Sequence, residues 1–366
     1  MNLAHLAIAQ TGNLPIRHQV DVHNGKVRSV YWLTPQDSRR LIRKQSYRIH
    51  SETPLGVMVI SDRISAYEII WQGEDGLTGV PGKGASLNAT AQHWFGEFEK
   101  AGLAGNHILA TPHPLVWIVQ RARPIMVEAI ARHYITGSMW RDYDKGERSI
   151  CGIDLPEGLN NGDQLPELLI TPSTKGIMQG IPGLPEKDDV NITRQQILDN
   201  WTAFGFVSPT HVERYERLLK QGFHLISEQA AWAGQILADT KFEFGYVAEA
   251  EGDNSLIYID EVGTLDSSRY WDMSAYQDGR TVENSKEMFR KYLCDAVPDR
   301  DILLNKSRMA ERSILGRFFK VPVDAMMAVS ELYCDIAERL TDSPVPKIEN
   351  ARQEILDALS PYGIVE

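Results

Sequence analysis

The chain has 366 residues, enough for two globular domains, and its 43% hydrophobic and 24% charged residues are typical of a folded protein. The formal net charge of −11 argues against a general nucleic-acid or anionic-membrane surface, because both kinds of partner attract a basic protein. The three cysteines, Cys151, Cys294 and Cys334, are far apart and predict reduced thiols. No apolar run approaches the ~18–20 residues that a membrane span needs, and no basic signal-sequence start is visible, so we expect a cytoplasmic protein.

The first part of the chain predicts a strand-rich lobe. Short apolar runs, such as residues 27–33 and 55–62, are separated by Gly, Pro and Asp. Residues 86–102 change to helical spacing and end at a glycine, which predicts one helix within the lobe. We place this first domain at residues 1–118.

The middle of the chain predicts a mixture of strands and helices. A long amphipathic stretch at 209–236 is typical of a helix, and it precedes strand-like runs at 241–247 and 256–262. Two segments rich in Gly, Pro and Asp, 156–167 and 176–189, predict surface loops long enough to act as lids. We therefore expect an α/β domain over residues 119–300.

After residue 300 the pattern is helical to residue 366, and packing or an oligomer surface is the expected role of this part. The sequence thus predicts an α+β fold, in which a β-rich N-terminal lobe packs on a larger α/β domain with a helical C-terminal extension. The sequence leaves open whether the chain forms a homo-oligomer.

The most informative segment is 236–262. Because side chains alternate along a strand, Asp239, Lys241 and Glu243 fall on one face, opposite a face of apolar residues. Carboxylates can hold Mg²⁺ together with triphosphate oxygens, and a lysine can neutralise phosphate charge. A solvated face with ion pairs explains the same pattern, so the residues alone leave both interpretations open.

The segment EGDN at 251–254 is a turn signal between two strand-like runs and predicts an antiparallel hairpin. A turn centred in this segment places Asp260 opposite Gly245, and therefore on the face of Glu243. Glu261 is then expected to point the other way.

Three weaker signals involve cations. Lys26 and Arg28 alternate on a glycine-led strand that could cover phosphates or be an exposed basic edge. Residues 79–88 fail the P-loop pattern and leave Lys83 before a helix N-terminus. Arg132 is followed by hydroxyls at a turn, an arrangement that could bind a phosphate or carboxylate or simply cap a helix.

Eight motifs, in order between residues 20 and 293, resemble the SAICAR synthetase family, the phosphoribosylaminoimidazole-succinocarboxamide synthases. The most specific are ILADTKFEFG and IDEVGTLDSSRYW. The full set is GKVRSVY, SDRISAYE, PGKGASLN, VEAIARHYITGS, ITPSTK, DVNIT, ILADTKFEFG and IDEVGTLDSSRYW. The resemblance implies a kinase-like or ATP-grasp-like ATP lobe, with ATP and Mg²⁺ as cofactors. It also implies CAIR and L-aspartate as substrates, joined as an amide while ATP is converted to ADP and phosphate.

The resemblance also implies roles for individual residues. Nucleotide, metal and catalytic positions match Lys26, Arg28, Lys241, Glu243 and Asp260, with Glu243 and Asp260 as the metal ligands. Substrate positions match Asp62, Arg63, Ser65, Lys83, Arg132, Ser138, Asp189, Ser267, Ser268 and Arg269.

Three features depart from the family pattern. Ser29 stands where the family usually has Asp, and Asp188 stands where a His is common. The extension after residue 300 matches no motif of the family.

The implied chemistry runs through an acyl phosphate and needs no protein nucleophile, in keeping with the lack of a Ser-His-Asp pattern. Two alternatives remain at this stage. A small-molecule kinase would give a phosphorylated product, and a silent nucleotide-binding scaffold would bind ATP without turnover.

Overall fold

The computed structural model describes residues 2–248 and 254–366. The strands are β1 His23–Asn24, β2 Arg28–Trp32, β3 Leu55–Ile60, β4 Ile64–Ala66, β5 Ile69–Trp71, β6 Ile108–His113, β7 Val116–Gln120, β8 Arg123–Pro124, β9 Val127–Tyr134, β10 Ser149–Ile150, β11 Ile153–Asp154, β12 Gln164–Ile170, β13 Ser173–Thr174, β14 Gln235–Ala248, β15 Asn254–Ile259 and β16 Ser268–Asp272. The α-helices are α1 Pro35–Gln45, α2 Lys83–Lys100, α3 Gly137–Asp144, α4 Arg194–Asp199, α5 Thr210–Trp232, α6 Met273–Gln277, α7 Lys286–Ala296, α8 Asp301–Leu304, α9 Met309–Phe318, α10 Val323–Thr341 and α11 Ala351–Leu359.

The N-terminal part is built on an antiparallel sheet in the order β1-β2-β3-β7-β6. Its apolar runs form strands because one face is buried: Val57, Val59 and Ile118, which share that face, are 0% exposed. Helix α2 packs behind this sheet, and the strand prediction for the first lobe is confirmed.

The second sheet is organised around the long strand β14, which pairs with β9, β15, β16 and β8, all antiparallel. On its buried face, Phe242 lies against Phe98 of α2 at a ring-centroid distance of 5.9 Å. Phe244 lies 4.9 Å from Tyr258. Because α2 and α5 bury this face, the opposite face of β14 is left for the polar side chains.

The predicted hairpin exists, but its predicted register is wrong. Glu243 pairs with Ile259 and Gly245 pairs with Ile257, so Asp260 is not opposite Gly245 as predicted. The predicted turn at 251–254 lies outside the described part of the chain except for Asn254, which begins β15. Since the register differs from the prediction by an odd number of residues, the alternation argument would turn Asp260 away from the face of Glu243.

Of the two predicted loops, one is shorter than expected. The loop expected at 156–167 ends early, because β12 begins at Gln164. Residues 176–189 contain no helix or strand, as expected.

The C-terminal extension is helical, as predicted, and it is joined to the rest of the fold. Helix α10 buries Met326, Tyr333 and Ile336 in the same apolar core as α2. Near the chain ends, Ile16 and Val365 form an antiparallel bridge. Within the described residues, no helix is both long enough and apolar enough to cross a membrane.

Candidate active site

A cleft of about 1300 Å³ lies between the exposed ends of the first sheet and the polar face of β14. Pockets for one drug-sized ligand typically hold ~300–1,000 Å³, so this cleft has room for more than one reactant. Twelve of the fifteen residues predicted from the sequence line it: Lys26, Arg28, Ser65, Arg132, Ser138, Asp189, Lys241, Glu243, Asp260, Ser267, Ser268 and Arg269.

Arg28 links the first sheet to the end of β15. Its guanidinium donates to Glu261 at 2.7 Å and to Asp260 at 3.3 Å. Burial alone would lower the pKa of Arg28, but the two carboxylates outweigh it and raise the pKa. The arginine is therefore a fixed cation on the cleft wall.

Asp260 reaches the cleft by backbone geometry rather than by strand alternation. Strand β15 ends at Ile259, and Asp260 has a φ of 60°, in the left-handed region that few non-glycine residues adopt. This turn brings both Asp260 and Glu261 to the cleft wall. The prediction that Glu261 points away is therefore wrong.

Lys241 is surrounded by carboxylates. Its ammonium lies 2.8 Å from Glu128 of β9 and 3.5 Å from Glu243. A second lysine, Lys175, donates to the other oxygen of Glu243 at 2.5 Å. Burial would lower the pKa of Lys241 and raise that of Glu243. The opposing charges outweigh burial, raising the pKa of Lys241 and lowering that of Glu243, so both groups are charged at neutral pH.

Asp239 holds two arginines side by side. Its Oδ2 accepts from Arg132 at 2.7 Å and from Arg269 at 2.5 Å. The Arg269 guanidinium packs directly on Gly137 at the first turn of α3, where Ser138 is exposed. Two guanidinium groups beside a helix N-terminus form a site suited to a phosphate or a carboxylate.

Lys83 is the first of three predicted residues that do not line the cleft. It is 0% exposed, and its ammonium pairs with Asp266 at 2.9 Å. The same carboxylate oxygen accepts from Lys286 of α7 at 3.1 Å. Lys286 does line the cleft, so Asp266 connects a buried lysine to one that faces the reactants.

Asp62 and Arg63 also lie outside the cleft wall. Asp62 accepts from the backbone N–H groups of Ile8 and Gly84, and burial raises its pKa to about 6. Arg63 donates to Ser61 Oγ and to the carbonyl of Gly25. Their visible contacts join the N-terminal segment, the strand ends and α2, and their roles toward substrate stay predictions.

The remaining predicted residues take varied positions. Ser65 is buried in β4, and Ser268 shares a 2.7 Å hydrogen bond with Thr240. The carbonyl of Ser267 accepts from the N–H of Lys241 at 2.9 Å. Asp189 is half exposed and lies 3.7 Å from Lys306 of the C-terminal extension.

Two of the three departures from the family pattern, Ser29 and Asp188, have local explanations. Ser29 is fully buried and hydrogen-bonds to Thr11 and Asn24, each at 2.8 Å, which ties the N-terminal segment to the first sheet. Asp188 accepts from the backbone N–H of Gly176 at 2.8 Å and so anchors the loop at 176–189.

Among the charged cleft residues that the sequence prediction did not assign to the site are Glu128, Lys175, Glu261 and Lys286. Strand alternation could have found Glu128, because it shares the face of Arg132 in β9. Lys175 belongs to a motif that was recognised but not assigned. No local pattern indicated Glu261 or Lys286, since a turn and a helix start bring them to the cleft.

Four carboxylates line this part of the cleft, Glu128, Glu243, Asp260 and Glu261, and the resemblance implies Glu243 and Asp260 as the ligands of a divalent cation. In the described part of the chain, no group of three or more His, Cys, Asp or Glu side chains could hold a metal by itself. Mg²⁺ is usually held by one or two carboxylates together with substrate phosphates and water, so a two-carboxylate wall fits a cation that arrives with a nucleotide.

The SAICAR synthetase family model matches the chain from residue 21 to residue 302. Phosphoribosylaminoimidazole-succinocarboxamide synthases of Vibrio vulnificus and Vibrio cholerae are 59% and 58% identical to it, each over 100% of both chains. Among solved structures, the SAICAR synthase of Saccharomyces cerevisiae, complexed with SAICAR, is 25% identical, with a TM-score of 0.62. That match covers 90% of this chain and 99% of the yeast chain.

Proposed function

The chain belongs to the SAICAR synthetase family and is an ATP-dependent ligase that joins L-aspartate to CAIR in purine biosynthesis, and on this premise we propose which residues bind each reactant. The nucleotide lies between a domain of residues 1–118 and one of 119–300, with 301–366 as the extension. The enzyme acts in the cytoplasm, where its three unpaired thiols would stay reduced.

ATP binds along Lys26, Arg28 and Lys241. In support, Arg28 and Lys241 are held charged by neighbouring carboxylates, and both line the cleft. Glu243 and Asp260 would hold an Mg²⁺ that accompanies the nucleotide. When bound, it supplies charge neutralisation at the transferring phosphoryl group.

CAIR binds at the pair Arg132 and Arg269, with its phosphate toward Arg269 and the hydroxyls of Ser138, Ser267 and Ser268. The observation that carries this proposal is the arrangement along β14. Asp239, which holds the two arginines, is two residues from Lys241 on the same strand face, a separation of roughly 7 Å. Two anion sites this close would place the CAIR carboxylate near the γ-phosphate of ATP.

The reaction then proceeds in two balanced steps. A carboxylate oxygen of CAIR bonds to the γ-phosphorus while the bond to ADP breaks, which gives an acyl phosphate. The aspartate amine attacks the acyl carbon, the carbon–oxygen bond to phosphate breaks, and the proton from the nitrogen passes to the departing phosphate. Lys241 and Lys175 offset charge on the transferring group. Lys286 and Asp189 lie on the cleft wall where a carboxylate substrate can be oriented, and Asp62, Arg63 and Lys83 support that wall from behind.

The direct test is a four-component assay of ADP release with ATP, Mg²⁺, CAIR and L-aspartate. ADP should form at an appreciable rate only when all four are present, and the product should be an amide. Release of ADP at the full rate without aspartate would contradict the ligase order of events. Near-normal turnover in both Lys241→Ala and Asp260→Ala would remove the site assignment.

A further inference from the structure

Four side chains from four different parts of the fold meet at the cleft wall, where Asp266 and Lys286 line the cleft and Lys83 and Tyr333 lie behind them. Asp266 Oδ2 accepts from Lys83 and Lys286, and Asp266 Oδ1 accepts from the hydroxyl of Tyr333 at 2.7 Å. Lys83 and Tyr333 are both 0% exposed. The lysine ammonium also lies 5.4 Å from the centre of the tyrosine ring.

The charges in this cluster do not cancel. One carboxylate faces two ammonium groups in a dry environment, where like charges repel strongly. Of the two lysines, only Lys286 lines the cleft, and its neighbour Arg290 adds further positive charge there. The position of Lys286 therefore depends on how Asp266 is oriented.

Tyr333 is the group that fixes this orientation. Both lysines share one oxygen of Asp266, and the tyrosine occupies the other, so rotation of the carboxylate would break at least one of the three contacts. Burial and the neighbouring carboxylate raise the pKa of Tyr333 well above its usual range, so it remains a donor.

Tyr333 lies in α10 of the C-terminal extension, beyond the region that the family model matches. The same helix anchors the loop before α2, because Ser330 Oγ donates to the carbonyl of Pro81 at 2.6 Å. We propose that Tyr333 is a positioning residue, which holds Asp266 so that the Lys286 ammonium is presented to a carboxylate substrate, CAIR or L-aspartate. This inference rests on the proposed function of the cleft.

Tyr333→Phe is the test variant, because it keeps the ring, its packing and its contact with Lys83 while removing one hydroxyl. Hydrogen bonds to charged groups are among the stronger ones, so we expect KM for CAIR or for L-aspartate to rise roughly tenfold. KM for ATP should stay within about twofold of that of the unmodified enzyme, because the variant leaves the proposed ATP-binding residues unchanged.

Two control variants separate positioning from stability. Ser330→Ala removes a hydrogen bond from the same helix without touching Asp266. Tyr258→Phe removes a buried hydroxyl that donates to the carbonyl of Leu218 at 2.8 Å, outside the cleft wall. Both should lower the unfolding midpoint by an amount similar to that of Tyr333→Phe, and neither should change KM for any substrate. An equal change of KM in all three variants would make Tyr333 purely structural and overturn the proposal.

A double-mutant cycle tests the route of the effect. If Tyr333 acts through Lys286, adding Tyr333→Phe to Lys286→Met should raise KM no further, because coupled residues are not additive. Multiplication of the two single effects would contradict the inference. Failure of this inference can be told apart from failure of the proposed function, which would appear as no aspartate-dependent ADP release by the unmodified enzyme.

Discussion

Replacing Gly137 by alanine should damage substrate binding far more than stability. Gly137 has a φ of 61°, and a Cβ built on it would overlap the guanidinium of Arg269. The left-handed backbone costs an alanine roughly 1 kcal/mol. The added methyl group must also push Arg269 away from Asp239 and from the proposed phosphate site.

The size of the binding defect follows from the charge that is moved. Truncating one partner of a buried, hydrogen-bonded charge pair typically costs ~2–5 kcal/mol of binding, which is about 30-fold or more. Displacing the Arg269 guanidinium loses part of this binding free energy, so we expect KM for CAIR to rise at least about tenfold in Gly137→Ala. KM for ATP should change little, because Arg28 and Lys241 are untouched.

Gly102→Ala is the matched control. Gly102 has a φ of 69°, and a Cβ there would meet nothing within 4 Å. It follows the C-terminus of α2, does not line the cleft, and its alanine variant should lose a similar ~1 kcal/mol of stability with unchanged kinetics. Thermal unfolding and initial rates at varied CAIR measure both effects. Equal KM for CAIR in the two variants would refute the placement of Arg269 against Gly137.

Three further predictions concern charge and packing. Lys241→Met should lower kcat by at least about a hundredfold in the ADP-release assay, whereas Glu128→Gln, which removes only an ion-pair partner of that lysine, should lower kcat by about tenfold or less. Equal losses of kcat in the two variants would argue against direct phosphate contact by Lys241. Burial, opposed by Asp266 and reinforced by Lys83 and Arg290, lowers the pKa of Lys286 to about 8. Because the charge of Lys286 is present below this pH and lost above it, KM for a carboxylate substrate should rise from pH 7.5 to 9.5 (roughly 1.5 units above that pKa). Lys286→Arg should flatten this rise. If KM rises equally in Lys286→Arg at alkaline pH, Lys286 is not the source of the rise. Phe98→Ala should lower the free energy of unfolding by ~3–5 kcal/mol in urea titration, because the ring is fully buried against two aromatic neighbours. A loss under ~1 kcal/mol would show that α2 is loosely packed on the second sheet at this contact.

The sequence predicted the polar face of β14 correctly because alternation along one strand is a local property. Asp239, Lys241 and Glu243 needed only the two-residue period and the apolar residues between them. The strand-rich first lobe and the helices of the extension followed from local periodicity in the same way.

Relations between segments were harder to predict. The position of Asp260 depends on the hairpin register and on a left-handed residue, and neither is encoded by a simple pattern. The placement of Lys83 behind the cleft depends on Asp266, which is 183 residues away in the chain. Sequence motifs identify such residues as important, but burial and pairing decide whether they can touch a reactant.

The bridge between Ile16 and Val365 bears on how the chain is made. A ribosome adds ~5–20 residues per second, so these two residues are synthesised roughly 20–70 seconds apart. During that interval Ile16, in the segment before β1, lacks its bridge to Val365. Asp266 likewise has no contact with Tyr333 until that residue is synthesised. A growing chain can therefore form both large sheets, whose last strand ends at Asp272, before the hydroxyl of Tyr333 is present to contact Asp266.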